Sequence, residues 1–194
     1  MPQWSPQQDE ALVAASRWLK DPSSQVFRLF GWAGTGKSTL AKHLAGDVEK
    51  VAYGAFTGKA ALVMRRRGCA DASTIHSLIY RQEDDGPMSS GGEPKWVLNP
   101  DSQVAASNLV IIDEVSMVDA QLAMDLLSFG KKVLVLGDPF QLPPVKGAGF
   151  FTADENKPDV MLTEIHRQAK DSPIIEMSID IREGRGLDYG TYGN

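Results

Sequence analysis

The 194-residue sequence predicts an α/β fold in three layers, a mostly parallel central sheet with helices on both faces. Three observations predict it. Leu109-Val-Ile-Ile112 and Val133-Leu-Val-Leu136 are unbroken apolar runs, and a strand without polar alternation is buried on both faces. Such strand-length runs alternate with helical stretches. The two runs end at Asp113-Glu114 and Gly137-Asp138, and ligands in folds of this kind bind beyond the carboxyl ends of the strands.

The elements follow in order. Ser5-Pro6-Gln7-Gln8 reads as a helix start: Ser5 caps, Pro6 suits the first helical position, and Gln8 completes a capping box. Leu12, Val13, Ser16 and Leu19 continue the helical stripe. Val26–Phe30 is a strand running into a glycine-rich turn, and Lys37–Ala45 is the helix after it. A second strand covers Val51–Ala55 and a second helix Lys59–Arg67, stopped by Gly68. Residues 81–108 are polar and turn-rich around Lys95-Trp-Val-Leu-Asn99, which predicts a surface loop or a small hairpin insertion. Four glycines from Gly184 onward mark an end that reads as frayed or cut from a longer chain.

Composition narrows the class. Hydrophobic residues make up 42% and charged residues 23%, enough apolar material for one domain with its own core. The net charge of −5 argues against a protein that coats nucleic acid non-specifically, while leaving room for a local basic strip. Cys69 is the one cysteine. No intrachain disulfide can form, which fits a reducing, cytoplasmic setting, and the residue reads as a small core side chain. No run is long enough for a membrane helix.

The chemistry begins at Gly31-Trp-Ala-Gly-Thr-Gly-Lys-Ser38. This matches G-x-x-x-x-G-K-[ST] between a strand and a helix, the signature of a P-loop NTPase. Its glycines let backbone N–H groups point inward, and the following helix adds its positive end, so a di- or triphosphate is held there. The cradle spans Ala33, Gly34, Thr35, Gly36, Lys37, Ser38 and Thr39. Lys37 is placed to reach the β- and γ-phosphates of ATP, and Ser38 to ligate Mg²⁺. Asp113, at a buried strand end, suits the second Mg²⁺ contact. Glu114 is placed to orient or deprotonate the attacking water.

Five further segments resemble the superfamily 1B DNA helicases of the RecD/Dda type. Ser5-Pro-Gln-Gln-Asp-Glu-Ala11 is similar to the family's adenine-reading Q motif. Phe56-Thr-Gly-Lys-Ala-Ala61 is similar to motif Ia, and Ala72-Ser-Thr-Ile-His-Ser-Leu78 to motif Ib. Gly137-Asp-Pro-Phe-Gln-Leu-Pro-Pro-Val145 is similar to motif III, and Leu162-Thr-Glu-Ile-His-Arg-Gln168 to motif IV. The likeness implies a RecA-like first motor domain over residues 1–194. Gln8 would lie on the base edge, Gln141 would sense the γ-phosphate, and the Arg167 guanidinium would stabilise the transferred phosphoryl group. Thr57, Lys59, Thr74 and His76 would line single-stranded DNA. Three of these positions keep a plain alternative: Gln8 as a capping residue, His76 as a structural histidine and Arg167 in a surface ion pair.

The resemblance runs from Gln8 to about Ile181 and then departs from the family. Motifs V and VI are absent, so the second RecA-like domain that opens and closes on the first would lie downstream or in a partner. The 81–108 insertion falls where such helicases carry a strand-separating pin, with Trp96 either its wedge or an anchor for the loop. Arg65-Arg66-Arg67 is either a solvated helix end or part of a DNA-facing strip. A nucleotide-binding regulatory module of a nuclease–helicase complex is the alternative function. A P-loop kinase leaves the Gln-Leu-Pro-Pro-Val and Thr-Ile-His-Ser segments without a role.

Overall fold

The computed structural model describes residues 4–83, 95–145, 147–153, 157–165, 177, 179–181 and 184–185. The first helix, α1 (Pro6–Lys20), begins as the capping box dictates. The Ser5 hydroxyl accepts from the Gln8 N–H, and the Gln8 side chain accepts from the Ser5 N–H at 3.1 Å. At its other end the Lys132 ammonium donates to the carbonyls of Trp18, Asp21 and Ser24, placing a cation where the helix dipole is negative.

The chain continues through β1 (Val26–Gly31), α2 (Lys37–Ala45), β2 (Val51–Ala55), α3 (Gly58–Arg66), β3 (Ser73–Thr74) and α4 (Ile75–Ile79). A short antiparallel hairpin follows, β4 (Tyr80–Gln82) with β5 (Trp96–Leu98), and Gln82 lies opposite Trp96. These strands sit within and at the edge of the expected insertion; residues 84–94 lie outside the described residues. Then come α5 (Gln103–Ala106), β6 (Leu109–Asp113), a 3₁₀ turn at Val115–Met117, α6 (Ala120–Leu127), β7 (Lys132–Gly137) and β8 (Val160–Leu162).

Six strands form one sheet in the order β3-β2-β6-β7-β1-β8, with every pairing parallel. The two unbroken apolar runs are its centre, and they divide residue by residue between the faces. Leu109, Ile111, Leu134 and Leu136 point toward α1 and α2. Val110, Ile112, Val133 and Val135 point toward α4, α5 and α6. All eight are at most 1% exposed, and each such burial stabilises the fold by about 1.5–3 kcal/mol. Gly54 in β2 lets α4 approach closely: a Cβ there would sit 2.6 Å from Leu78 Cδ1 and 2.8 Å from Ile112 Cδ1. No helix among the described residues is long and apolar enough to cross a membrane.

Candidate nucleotide site and its flank

The parallel order brings the ends of β1, β7 and β6 side by side on one edge of the sheet. The glycine-rich loop leaves β1 there. Gly34 and Gly36 have φ of 80° and 86°, the left-handed region that side chains oppose. Gly36 is the N-cap of α2, so the loop feeds directly into a helix N-terminus. Thr35 is buried and its hydroxyl donates to Trp32 O at 2.9 Å. Trp32 N–H donates to Leu162 O at 3.0 Å, which fixes the loop entry to β8. Lys37 curls back over the loop, its ammonium donating to Gly31 O at 2.7 Å and Trp32 O at 2.9 Å. Ala33 and Thr39 are exposed at the rim.

Across the loop stands Asp113 at the end of β6. Its carboxylate accepts from Ser38 Oγ at 3.0 Å and from the Glu114 N–H at 2.9 Å. One carboxylate plus one hydroxyl is a donor set that fits Mg²⁺, which keeps several waters and takes phosphate oxygens rather than a full protein cage. Among the described residues no cluster of three His, Cys, Asp or Glu side chains offers such a cage. Glu114 is exposed and has φ 56°, ψ 50°. A left-handed backbone at a residue with a side chain costs on the order of 1 kcal/mol. The strain turns the chain sharply out of β6, with the carboxylate 3.5 Å from Thr57 Oγ1.

Two adjacent glutamines tie α1 to this corner. Gln8 is 2% exposed, and its amide nitrogen donates to Thr35 O at 3.0 Å. With its oxygen on Ser5 N–H, the amide serves the loop and the cap in this conformation. Gln7 faces the other way. Its oxygen accepts from the N–H groups of Thr163 at 2.8 Å and Glu164 at 3.0 Å. Sequence reasoning missed the Gln7 clamp, because nothing local to Gln7 announces a partner 156 residues away. The segment it holds leads toward Arg167, which lies outside the described residues.

The remaining candidates lie on the flank. Gln141, exposed, follows β7, whose end is set between those of β1 and β6; its N–H donates to Asp138 O at 3.0 Å. Asp138 itself is buried and accepts from the Phe140 N–H. Beyond it Phe140, Leu142 and Val145 are 63%, 81% and 96% exposed. Thr57 caps α3 by accepting from Ala60 N–H, and Thr74 caps α4 by accepting from Ser77 N–H, so both hydroxyls have a structural duty at helix N-termini. Lys59 is exposed beside them. His76 packs its ring 4.6 Å from Tyr80 and 4.9 Å, edge-on, from Trp96. Tyr80 in turn donates a short hydrogen bond to Asp125, and burial followed by that bond pushes its hydroxyl well above the usual tyrosine range. Trp96 thus leans on His76 while remaining half exposed. Arg65 donates to Ala72 O and Lys42 to Arg67 O, so the arginine run is tied into the end of α3.

Comparison with known proteins agrees with this arrangement. A family model described as an AAA domain matches residues 3–192. The chain is 34% identical over 170 residues to the ATP-dependent RecD2 DNA helicase of Deinococcus radiodurans, covering 84% of this chain and 22% of that protein. Among solved structures it resembles the Bacteroides Pif1 helicase in complex with ADP-AlF3 and single-stranded DNA, with TM-score 0.64 and 25% identity over all of this chain and 52% of that one. It also resembles the Bacteroides sp. Pif1 in complex with ADP-AlF4, with TM-score 0.62 and 26% identity over 97% of this chain and 48% of that one. The chain therefore spans about a fifth of the RecD2 relative and about half of the Pif1 structures. The motif-based resemblance to superfamily 1B helicases is borne out, as is the α/β P-loop fold.

Proposed function

The chain belongs to the AAA domain family, and on that premise we propose that it is the ATP-binding first motor domain of a superfamily 1B DNA helicase acting on single-stranded DNA. The observation that carries this reading is the bond from Ser38 of the phosphate loop to Asp113 of β6, with Glu114 beside it. Phosphate binding would exchange the Lys37 contacts to Gly31 O and Trp32 O for contacts to the β- and γ-phosphates. A preorganised lysine and loop N–H groups need little rearrangement to receive that charge. Ser38 and Asp113 would hold Mg²⁺, which neutralises phosphate charge when bound. Glu114, exposed and turned out of the strand, would orient or deprotonate the attacking water. Gln8 would shape the loop through Thr35 and stand next to the base.

Gln141 would report the γ-phosphate to the DNA path, with Arg167 contributing from the segment beyond Glu164. Lys59, the α3 and α4 N-termini capped by Thr57 and Thr74, and His76 would meet the single strand. A second RecA-like domain would close the site from the opposite side and exclude water. Without that wall, residues 1–194 should bind Mg²⁺–nucleotide, hydrolyse ATP slowly and fail to unwind DNA. Titration of a fluorescent ATP analogue with and without Mg²⁺, beside a forked-duplex unwinding assay, tests this. Absence of Mg²⁺-dependent nucleotide binding would sink the site assignment, and robust unwinding would sink the need for a second domain.

A further inference from the structure

The cavity that begins at the phosphate loop does not end there. It has a volume of about 730 Å³ and runs from Ser38 and Asp113 under α2 toward α3. Its lining changes character along the way. Past the phosphate end the walls are Ala41, Ile111, Val63 and Met64, an apolar body. Tyr53 stands among them, half-buried, and its hydroxyl makes no hydrogen bond to the described residues. At the far end are Lys42, Arg67 and Cys69. Lys42 uses one of its three donors on Arg67 O at 2.8 Å. Neither cation has an acidic partner among the described residues. Apolar walls with a few convergent polar groups, in a space of this size, describe a small-molecule site.

We propose that the α2–α3 end of this cavity binds a small aromatic carboxylate, its ring system against Tyr53, Ile111 and Met64 and its carboxylate between Lys42 and Arg67. The charge layout sets the orientation. Lys37 is engaged on Gly31 O and Trp32 O with Asp113 across the loop from it, so the carboxylate turns to Lys42 and Arg67 at the other end. Burial raises the Cys69 thiol, Lys42 partly offsets that and Asp113 adds to it, so the thiol stands neutral beside the ligand and adds no competing charge. The site goes beyond the nucleotide reading and does not depend on it: the proposed ligand touches neither Lys37 nor the loop glycines. It does bridge α2, which carries Lys37 and Ser38, to α3.

The whole chain labelled with ¹³C-methyl methionine tests it. The probes are 1-naphthoate and the neutral 1-naphthamide, and Met64→Leu identifies the Met64 resonance. The expected result is a saturable shift of Met64 with naphthoate that persists in saturating Mg²⁺–ADP. Naphthamide should bind about threefold more weakly, the scale of exposed ion pairs, and Arg67→Glu should remove that difference. Arg67 engages its neighbours through its backbone, so the variant should fold. An unmoved Met64, equal binding of the amide, or complete displacement of naphthoate by ADP each overturns the proposal. Failure of ADP itself to bind would count against the nucleotide reading alone, since the naphthoate shift is read without it.

Discussion

The phosphate corner and the segment after β7 lie on the same edge of the sheet, yet they are built on opposite principles. In the corner nearly every polar group is spoken for. Lys37 lies on two carbonyls, Ser38 on Asp113, Asp113 on Glu114 N–H, and Gln8 on Thr35 O. The segment after β7 is anchored by buried Asp138 and then presents Phe140, Leu142 and Val145 to solvent. A self-satisfied site is ready for a ligand that brings its own charge. An apolar loop left open is ready for a surface, since apolar side chains gain free energy only when something covers them. On the proposed reading the first region binds and the second transmits.

The sharpest test of that division acts on the corner. Glu114→Gln keeps the shape and removes the base, so turnover should fall by about 10²–10³, the scale of general-base contributions. Nucleotide affinity should stay within about threefold, because among the described residues the Glu114 carboxylate hydrogen-bonds to Thr57 and its N–H to Asp113, neither a phosphate-loop group. Steady-state hydrolysis in the longest natural form of the protein checks the first number, and a binding titration the second. Near-normal kcat would remove Glu114 from the chemistry. Lys37→Ala should act on binding instead, weakening ATP by on the order of 100-fold, as expected for losing a charge-assisted contact to phosphate. Its fold should survive, because Gly31 O and Trp32 O, which accept from the ammonium, lie where β1 ends and the loop begins, outside the central core. Affinity unchanged in this variant would mean the loop is not a phosphate cradle.

On the flank the effects shrink. Lys59 is exposed and sits just inside α3. Lys59→Ala should weaken single-strand binding a few-fold and lower the slope of log affinity against log salt by about one phosphate's worth. Nucleotide affinity should not change. A filter-binding salt series with an unaltered slope would take Lys59 off the DNA path.

How much of this was legible depends on the range of the interactions involved. The P-loop, the capping box, the two central strands and the α2 boundaries are local patterns, and their residue types announce them. The helix α4 and the strand β8 are five and three residues long, too short for periodicity to register; they exist because Ile75, Leu78, Ile79 and Leu162 fill the core. Gln7 read as an ordinary first-turn residue because its partners are remote in sequence. Thr57 and Thr74 were legible as hydroxyls suited to phosphate, but their capping duty appeared only with the helices they start. The left-handed backbone of Glu114 carries no sequence signal, since glutamate is not a residue that prefers it.

The smallest expected effect is the one that separates the two regions most cleanly. Leu134 and Leu142 are the same residue type, eight positions apart around the end of β7. Leu134 is 1% exposed between β1 and β6, and Leu142 is 81% exposed. Leu134→Ala should cost about 3 kcal/mol, the transfer and cavity terms of an emptied core site. Leu142→Ser and Val145→Ser, singly or together, should change stability by less than about 0.5 kcal/mol, because no packing is lost and no polar group is stranded. Chemical denaturation of the 194-residue chain measures all of these. If the serine variants destabilise it by more than 1 kcal/mol, the loop packs on its own domain and is not an open surface. If they leave stability untouched but lower single-strand-stimulated ATP hydrolysis in the longest natural form of the protein, the apolar loop acts where it is covered. That pairing of a silent stability effect with a loss of coupling is what a transmitting surface, and not a binding corner, should show.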